Sequence, residues 1–357
     1  MWAFKVLNWF GIGHKPNQSH VMDLIFVLVM LLTYFDTLFL YFLTIKENGN
    51  DLKWGLERIL SITCSILLML SINRNRHEFT AAIRKAKFIN NSKSEIKLNV
   101  LAGCILAFPF IYSLVLLLAC EIGKDELGFY YFFYGIPVRN KILKYFILYC
   151  KSFLFYFLFP TYSNIFVFMF CASCHNSKMT IRNLCQELER CPPMAFTTSI
   201  QIRCLNCRRT IYKMLGVLQE RFSFTSFVAC VGNFSCCFAL LTQLTLYTFS
   251  ESALSYQADT VINSINVTVP LIMMFWIPEE IQMELEKLNK IILWKYEMRA
   301  SSGMVTENPS IEKLLLEEKA FVLSGCSLIA FRRCHILSVF GTALTYGLLI
   351  LSFEVRN

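Results

Sequence analysis

The sequence predicts an all-α polytopic membrane protein of seven transmembrane helices, with the N-terminus cytosolic and the C-terminus extracellular. Three observations carry this. Of 357 residues, 55% are hydrophobic and only 17% charged, with a mean hydropathy of +0.50, which is outside the range of ordinary soluble domains. The apolar residues gather in runs long enough to cross hydrocarbon, where a chain must satisfy its own backbone hydrogen bonds and therefore coils into helices. The basic residues lie between those runs and favour one side of them.

Taken in order, residues 1–20 are polar and aromatic and read as a cytosolic N-terminus. No small-residue cleavage pattern follows Val21 to Tyr34, so that run is expected to be a permanent span and not a signal peptide. Spans are expected near 21–45, 55–73, 98–120, 143–171, 222–250, 260–277 and 335–354. The second carries Glu57 and Arg58 at its end, and the sixth contains Asn263, Asn266 and Pro270. Such polar content places both inside a bundle, away from lipid. The fourth and fifth exceed the bilayer requirement and are expected to tilt or to continue beyond it.

Charge sets the orientation. With the N-terminus inside, the cytosolic segments hold 25 Lys and Arg and the outer segments eight, with Lys151 inside a span. The short, basic 74–97 connection makes this assignment robust to discounting the longer loops. The net charge of +9 is thus explained by segments facing an anionic leaflet, and no nucleic-acid partner is implied.

The inner segments 172–221 and 278–334 are long and patterned. Ile277, Ile281, Leu285, Leu288 and Ile292 form one helical stripe, with glutamates early and lysines late as the helix dipole favours. Such a stripe requires a partner, either within the chain or on a neighbouring subunit. Ser301-Ser302-Gly303 begins a loop, and Asn308-Pro309 reads as the cap and first turn of a second helix expected to reach Arg333. The chain therefore divides into the N-terminus 1–20, a six-helix region with ligand pocket at 21–277, anchor helices at 278–334, and a final helix with a short tail at 335–357.

Chemistry-bearing residues are sparse. Cys171/Cys174 and Cys204/Cys207 have pairwise zinc spacing, but the first pair ends a hydrophobic helix and other cysteines scatter between them, so no metal is expected. Phosphate loops, dinucleotide glycines and hydrolase elbows are missing, which argues against an enzyme and against a bound cofactor. Asp36 lies within the first span, where a carboxylate needs a partner or a proton, and Lys151 is placed to snorkel outward. In the outer halves of helices three to six, Tyr112, Tyr149, Tyr156, Thr242, Gln243, Tyr247, Asn263 and Asn266 offer hydrogen-bonding groups among apolar walls. That mixture suits a small-molecule pocket, with Lys151 a further candidate, and it equally suits helix packing.

The last run, Ile336 to Phe353, is uncharged and ends T-Y-G-L-L-I-L-S-F from Thr345 to Phe353. It resembles the end-of-chain signature of arthropod gustatory receptors: Thr-Tyr, five hydrophobic residues, then Gln-Phe, with Ser352 here in the glutamine position. The resemblance implies a chemoreceptor of the plasma membrane that works as a ligand-gated, non-selective cation channel opened by a small tastant. It further implies a homo- or hetero-tetramer with other gustatory receptors, surrounded by lipid, its last helices lining a central pore for cations. By the same resemblance Phe353 would be the gate, Ser352 the adjacent pore-facing residue, and Thr345 and Tyr346 packing residues of that helix. A G-protein-coupled receptor requires the opposite orientation and an aspartate-arginine-tyrosine type triplet after helix three; a transporter would show paired helix interruptions. Residue spacing alone also leaves a purely structural membrane protein open.

Overall fold

A chain that is apolar over most of its length can bury its amides only in helices, and helices dominate the fold. The computed structural model describes residues 20–47, 52–74, 92–122, 133, 134, 136, 138–246, 254–304, 308–317 and 320–354. In chain order these form α1 (His20–Glu47), α2 (Leu52–Arg74), α3 (Ser92–Ile122), α4 (Lys141–Tyr156), α5 (Tyr162–Arg190), α6 (Thr198–Leu246), α7 (Leu254–Ser301), α8 (Pro309–Leu316) and α9 (Cys334–Glu354), with a two-residue hairpin β1 (Ser324–Gly325) and β2 (Ile329–Ala330) before α9.

Among the described residues, all seven expected spans fall in helical stretches, the end of the fifth, 247–250, lying outside the described residues. Five stretches are by themselves long and apolar enough to cross a membrane: Leu24–Leu43, Asn99–Ile122, Lys141–Arg190, Thr198–Leu241 and Gln257–Ser301. The apolar parts of α2 and α9 are shorter among the described residues, Ile59–Arg74 and Cys334–Tyr346. α1 is peripheral. Leu28, Leu32, Phe35, Phe39 and Phe42 are exposed on it, as befits a face against lipid, while Met30, Thr33 and Thr37 turn inward. α2 packs against α6 on Ser61, Cys64, Ser65 and Leu68, which places it inside the bundle as its polar content requires. Gly232 of α6 makes that approach feasible, because a Cβ there would sit 2.9 Å from Cys64 Cβ.

Three expectations need correction. The fourth span is not one helix. A π-helical turn at Phe157–Thr161, with Phe159 in extended geometry, separates α4 from α5, because Pro160 has no N–H to donate. The helix expected from Asn308-Pro309 to Arg333 does begin there, with the Asn308 side chain accepting from Ile311 N at 3.4 Å, but it stops at Leu316. The residues beyond it take their hydrogen bonds from α6. Gln219 Oε1 accepts from Ser324 N at 2.9 Å and Nε2 donates to Ser324 O at 2.8 Å, while Ser223 Oγ accepts from Cys326 N at 2.9 Å. Cys326 and Ser327 turn the hairpin at φ 51° and 58°. Gly325 is seated so closely that a Cβ would meet Phe227 at 3.1 Å. Finally, the stripe at 277–292 is not a separate helix, since α7 runs on from the sixth span through Pro270 and Pro278.

The lower parts of α5, α6 and α7 thus continue past the apolar spans as a helical stem. Ile281, Leu285, Leu288 and Ile292 of α7 are buried with Ile181, Leu184 and Leu188 of α5, and the α5–α7 contact is the most extensive in the fold. The stripe's partner is this chain's own α5, and each fully buried aliphatic contributes ~1.5–3 kcal/mol. Surface pairs flank the seam, Lys287–Glu189 at 2.9 Å and, between α5 and α6, Arg203–Glu187 at 2.7 Å. Buried cations finish the stem's loops: Lys295 donates to Cys191 O and Arg299 to Phe196 O, and Arg208 donates to Leu315 O and Glu317 O, each at 2.6 Å.

Two outcomes follow for the stem. Arg208→Ala leaves the buried Leu315 carbonyl and the more exposed Glu317 carbonyl short of a charged donor and should cost ~1.5–3 kcal/mol, read as a lowered unfolding midpoint of the purified protein. Burial pushes the Cys185 and Cys204 thiols up to about 12, so both should resist iodoacetamide in the native protein at mildly alkaline pH while half-exposed Cys207 is alkylated first, as scored by peptide mass spectrometry.

Candidate functional site

In the half of the bundle remote from the stem, polar side chains converge where α3, α4, α5 and α7 meet. Their centre is Asp259, near the start of α7. Its Oδ1 accepts from Tyr112 Oη at 2.6 Å, Tyr156 Oη at 2.8 Å and Asn263 Nδ2 at 2.9 Å. The Tyr112 and Tyr156 rings lie 4.0 Å apart between centroids, and Leu116, Cys120, Phe133 and Leu148 complete an apolar cluster around them. A carboxylate in such surroundings is tolerated only with strong donors, and these three supply them.

One turn further along α7, a second group forms. Asn266 Nδ2 donates to Ile262 O at 2.8 Å, so its Oδ1 must be the atom facing α5, where it accepts from Asn164 Nδ2 at 3.3 Å. This chain of donors orients both amides. The Oδ1 atoms of Asn164 and Asn263 are left buried without a protein donor, as are the hydroxyls of Ser152, Thr161 and Thr260. A buried polar atom left unsatisfied costs ~1–3 kcal/mol, so these oxygens keep hydrogen-bonding capacity that the surrounding side chains do not use.

A separate polar group joins α1 to α4. Lys151 Nζ lies 3.1 Å from Asp36 Oδ2, donates to Tyr134 Oη at 2.9 Å and sits 4.2 Å from that ring's centroid, while Tyr134 donates to Asp36 Oδ1. Lys151 therefore does not snorkel outward. Asp36 is the partner it turns to, because an ion pair with a shared phenol offsets the cost of both charges in an apolar bundle.

Of the residues singled out from sequence, Tyr112, Tyr156, Asn263 and Asn266 come together, and Asp36 and Lys151 meet each other. Tyr149, half-buried on α4, belongs to neither group. Thr242 and Gln243 lie on α6 with side chains outside the described residues, and Tyr247 is outside them altogether. Thr345 donates to Gly341 O at 2.8 Å and Tyr346 meets Phe238 edge-on at 6.0 Å, both within α9 and its packing. Ser352 and Phe353 fall on the last turns of α9, their side chains outside the described residues.

Sequence reasoning missed Asp259 and Asn164. Asp259 falls just outside the expected sixth span at 260–277, although its place four residues before Asn263 puts the two on one helix face. It also missed a clamp at the root of α9. Arg333 N donates to Glu279 Oε2 at 2.7 Å, and its guanidinium approaches Glu279 and Glu280 at 3.5 and 3.6 Å over the Trp276 ring at 4.1 Å. Lys178 of α5 closes the group on Glu280 at 2.9 Å. Among the described residues no group of three His, Cys, Asp or Glu could hold a metal, and all fifteen cysteines are free thiols.

No protein-family model and no curated protein matches the chain. Among solved structures it shares its fold with the insect olfactory receptor OR5 from Machilis hrabei in complex with eugenol, at a TM-score of 0.72 and 12% identity over 99% of this chain and 98% of that one. The all-α fold is thus shared with that chain along nearly the whole of both.

The Asp36–Lys151 pair can be weighed directly. A double-mutant cycle of Asp36→Ala and Lys151→Ala should return a coupling energy of ~1–3 kcal/mol in thermal unfolding, and strictly additive single effects would show the two charges to be independent.

Proposed function

We propose that this protein is a chemoreceptor that works as a ligand-gated, non-selective cation channel in the plasma membrane, opened by a small tastant molecule. The observation that carries the reading is the fold shared along the whole chain with an insect olfactory receptor solved with a small phenolic ligand, eugenol. The Thr345-Tyr346…Phe353 signature at the chain end supports the gustatory branch. In this reading the N-terminus and the stem are cytosolic, the Asp259 half faces outward, and four copies, identical or mixed, place α9 around a central pore.

In this reading a route runs from ligand to gate along α7. Tyr112, Tyr156 and the Asp259, Asn263 and Asn164 groups form the ligand walls, with Asn266 orienting Asn164. α7 carries Asp259 at one end and Glu279 and Glu280 about twenty residues on, roughly 30 Å away at 1.5 Å per residue. A ligand that alters how α7 sits against α3, α4 and α5 therefore moves the glutamates that grip Arg333, and with it the root of α9. Binding opens the pore only if the ligand favours the state in which the Phe353 ring is wider. Serine at position 352 gives that pore shorter hydrogen-bonding groups than glutamine would.

Whole-cell recording of the chain expressed alone, and beside other gustatory receptors, across a tastant panel tests this. Tastant-evoked cation current is expected; Phe353→Ala should raise basal current, and Asn263→Leu should shift the concentration for half-maximal response by tenfold or more, about 1.4 kcal/mol. Unchanged basal current in a working Phe353→Ala channel removes that residue from the gate. Metabotropic signalling without current would transfer the protein to another receptor class.

A further inference from the structure

A recess lies at the end of the bundle opposite Asp259, behind the root of α9. It is a lateral cleft of about 370 Å³ walled by Val231 and Phe234 of α6, Phe275 of α7, Ile329 of the hairpin, and His335 and Val339 of α9. The volume is within the range of small-molecule sites. Its few polar groups are already turned back on the chain: Nδ1 of His335 lies 2.7 Å from Ala330 O, and Thr342 donates to Ser338 O at 2.7 Å. The walls therefore suit an apolar occupant.

The residues beside the cleft are those expected at the level of a membrane interface. Half-exposed Trp276, with Arg333 stacked on it at 4.1 Å, marks that level, because indole and guanidinium groups settle among headgroups. Of the two neighbouring arginines, Arg333 is taken by Glu279 and Glu280. Arg332 is exposed between the lining residues Ala330 and His335 and pairs with no carboxylate among the described residues. An apolar slot with an exposed arginine next to its lining residues in the chain matches a molecule with an anionic head and a hydrocarbon tail. From His335 to Thr342 the slot follows α9 for about 10 Å at 1.5 Å per residue, enough for the upper part of one acyl chain.

We propose that this cleft binds an anionic phospholipid, with one acyl chain between α9 and the α6–α7 wall and the phosphate on Arg332. The bound tail then becomes part of the support behind α9, so the leaflet's anionic lipid content biases where that helix stands. The proposal needs only the membrane fold and stands whether or not α9 lines a pore.

The test uses the full-length protein in nanodiscs of phosphatidylcholine and phosphatidylglycerol in equal amounts, with one or the other carrying a diazirine on its acyl chain. Photolabel from phosphatidylglycerol should map to the peptides bearing Phe234 and Val339 and exceed that from phosphatidylcholine. Arg332→Gln should lower this preference roughly fivefold, the worth of one arginine at an anionic surface. Val339→Trp, which fills the slot, should abolish labelling there; Val231→Phe on the facing wall serves if that variant does not fold, judged by monodispersity and helical circular dichroism. Equal labelling by both lipids, labelling unaffected by the filled slot, or label only elsewhere overturns the proposal. So does a Val339→Trp chain that loses self-association and keeps its lipid label, which would give the cleft to another copy of the chain.

Discussion

The contact between α5 and α7 is the constraint from which the rest of the molecule takes its positions. It begins in the apolar bundle, where Asn164 meets Asn266, and continues into the stem, where Leu285, Leu288 and Ile292 bury against Leu184 and Leu188. Both helices pass from one environment to the other as continuous helices, α7 through Pro270 and Pro278, so the seam joins the two regions directly. Everything else is hung on it: α3 and α4 through the tyrosines on Asp259, α6 through the stem, and α9 through Arg333. A continuous seam that holds a polar site at one end and the root of the last helix at the other is a physical means of joining two distant places.

The apolar bundle handles its charges in two ways. Asp36 and Lys151 are placed so that opposite charges and a shared phenol satisfy each other. Asp259 is met by neutral donors, two tyrosines and an amide, which leaves its charge delocalised over hydrogen bonds from three helices. The first arrangement ties α1, otherwise loosely held against lipid, to α4. The second fixes the relative heights of α3, α4 and α7, and leaves carbonyl and hydroxyl oxygens nearby with hydrogen-bonding capacity that the protein does not use.

The stem follows a different logic. Here long basic side chains reach across to loop carbonyls that no helix can satisfy. Burial lowers the pKa of Lys295, since the charged form loses solvation, yet the carbonyl of Cys191 gives its ammonium a partner. Arg208 does the same for the residues that end α8. These contacts explain why the segment after Leu316 does not stay helical. Its composition, E-E-K-A-F-V-L, favours a helix, but side chains of α6 bond the backbone on either side of it, at Glu317, Ser324 and Cys326, and Gly325 permits the close approach.

What the sequence determined by itself is what depends on local periodicity: the positions of the apolar helices, the stripe from Ile277 to Ile292, the helix start at Asn308-Pro309, and the basic bias of one set of connections. Each follows from backbone hydrogen bonding and a repeat of 3.6 residues, which act over one or two turns. Tertiary structure alone decided that Asp259 gathers Tyr112 and Tyr156, that Lys151 turns to Asp36, and that Arg333 grips Glu279 and Glu280. Those partners stand 53 to 147 residues apart in the chain, and Lys151 and Asp36 lie on helices separated by two others. No spacing rule reaches so far, because which polar groups must share a site is settled only when helices choose their neighbours and water is excluded between them.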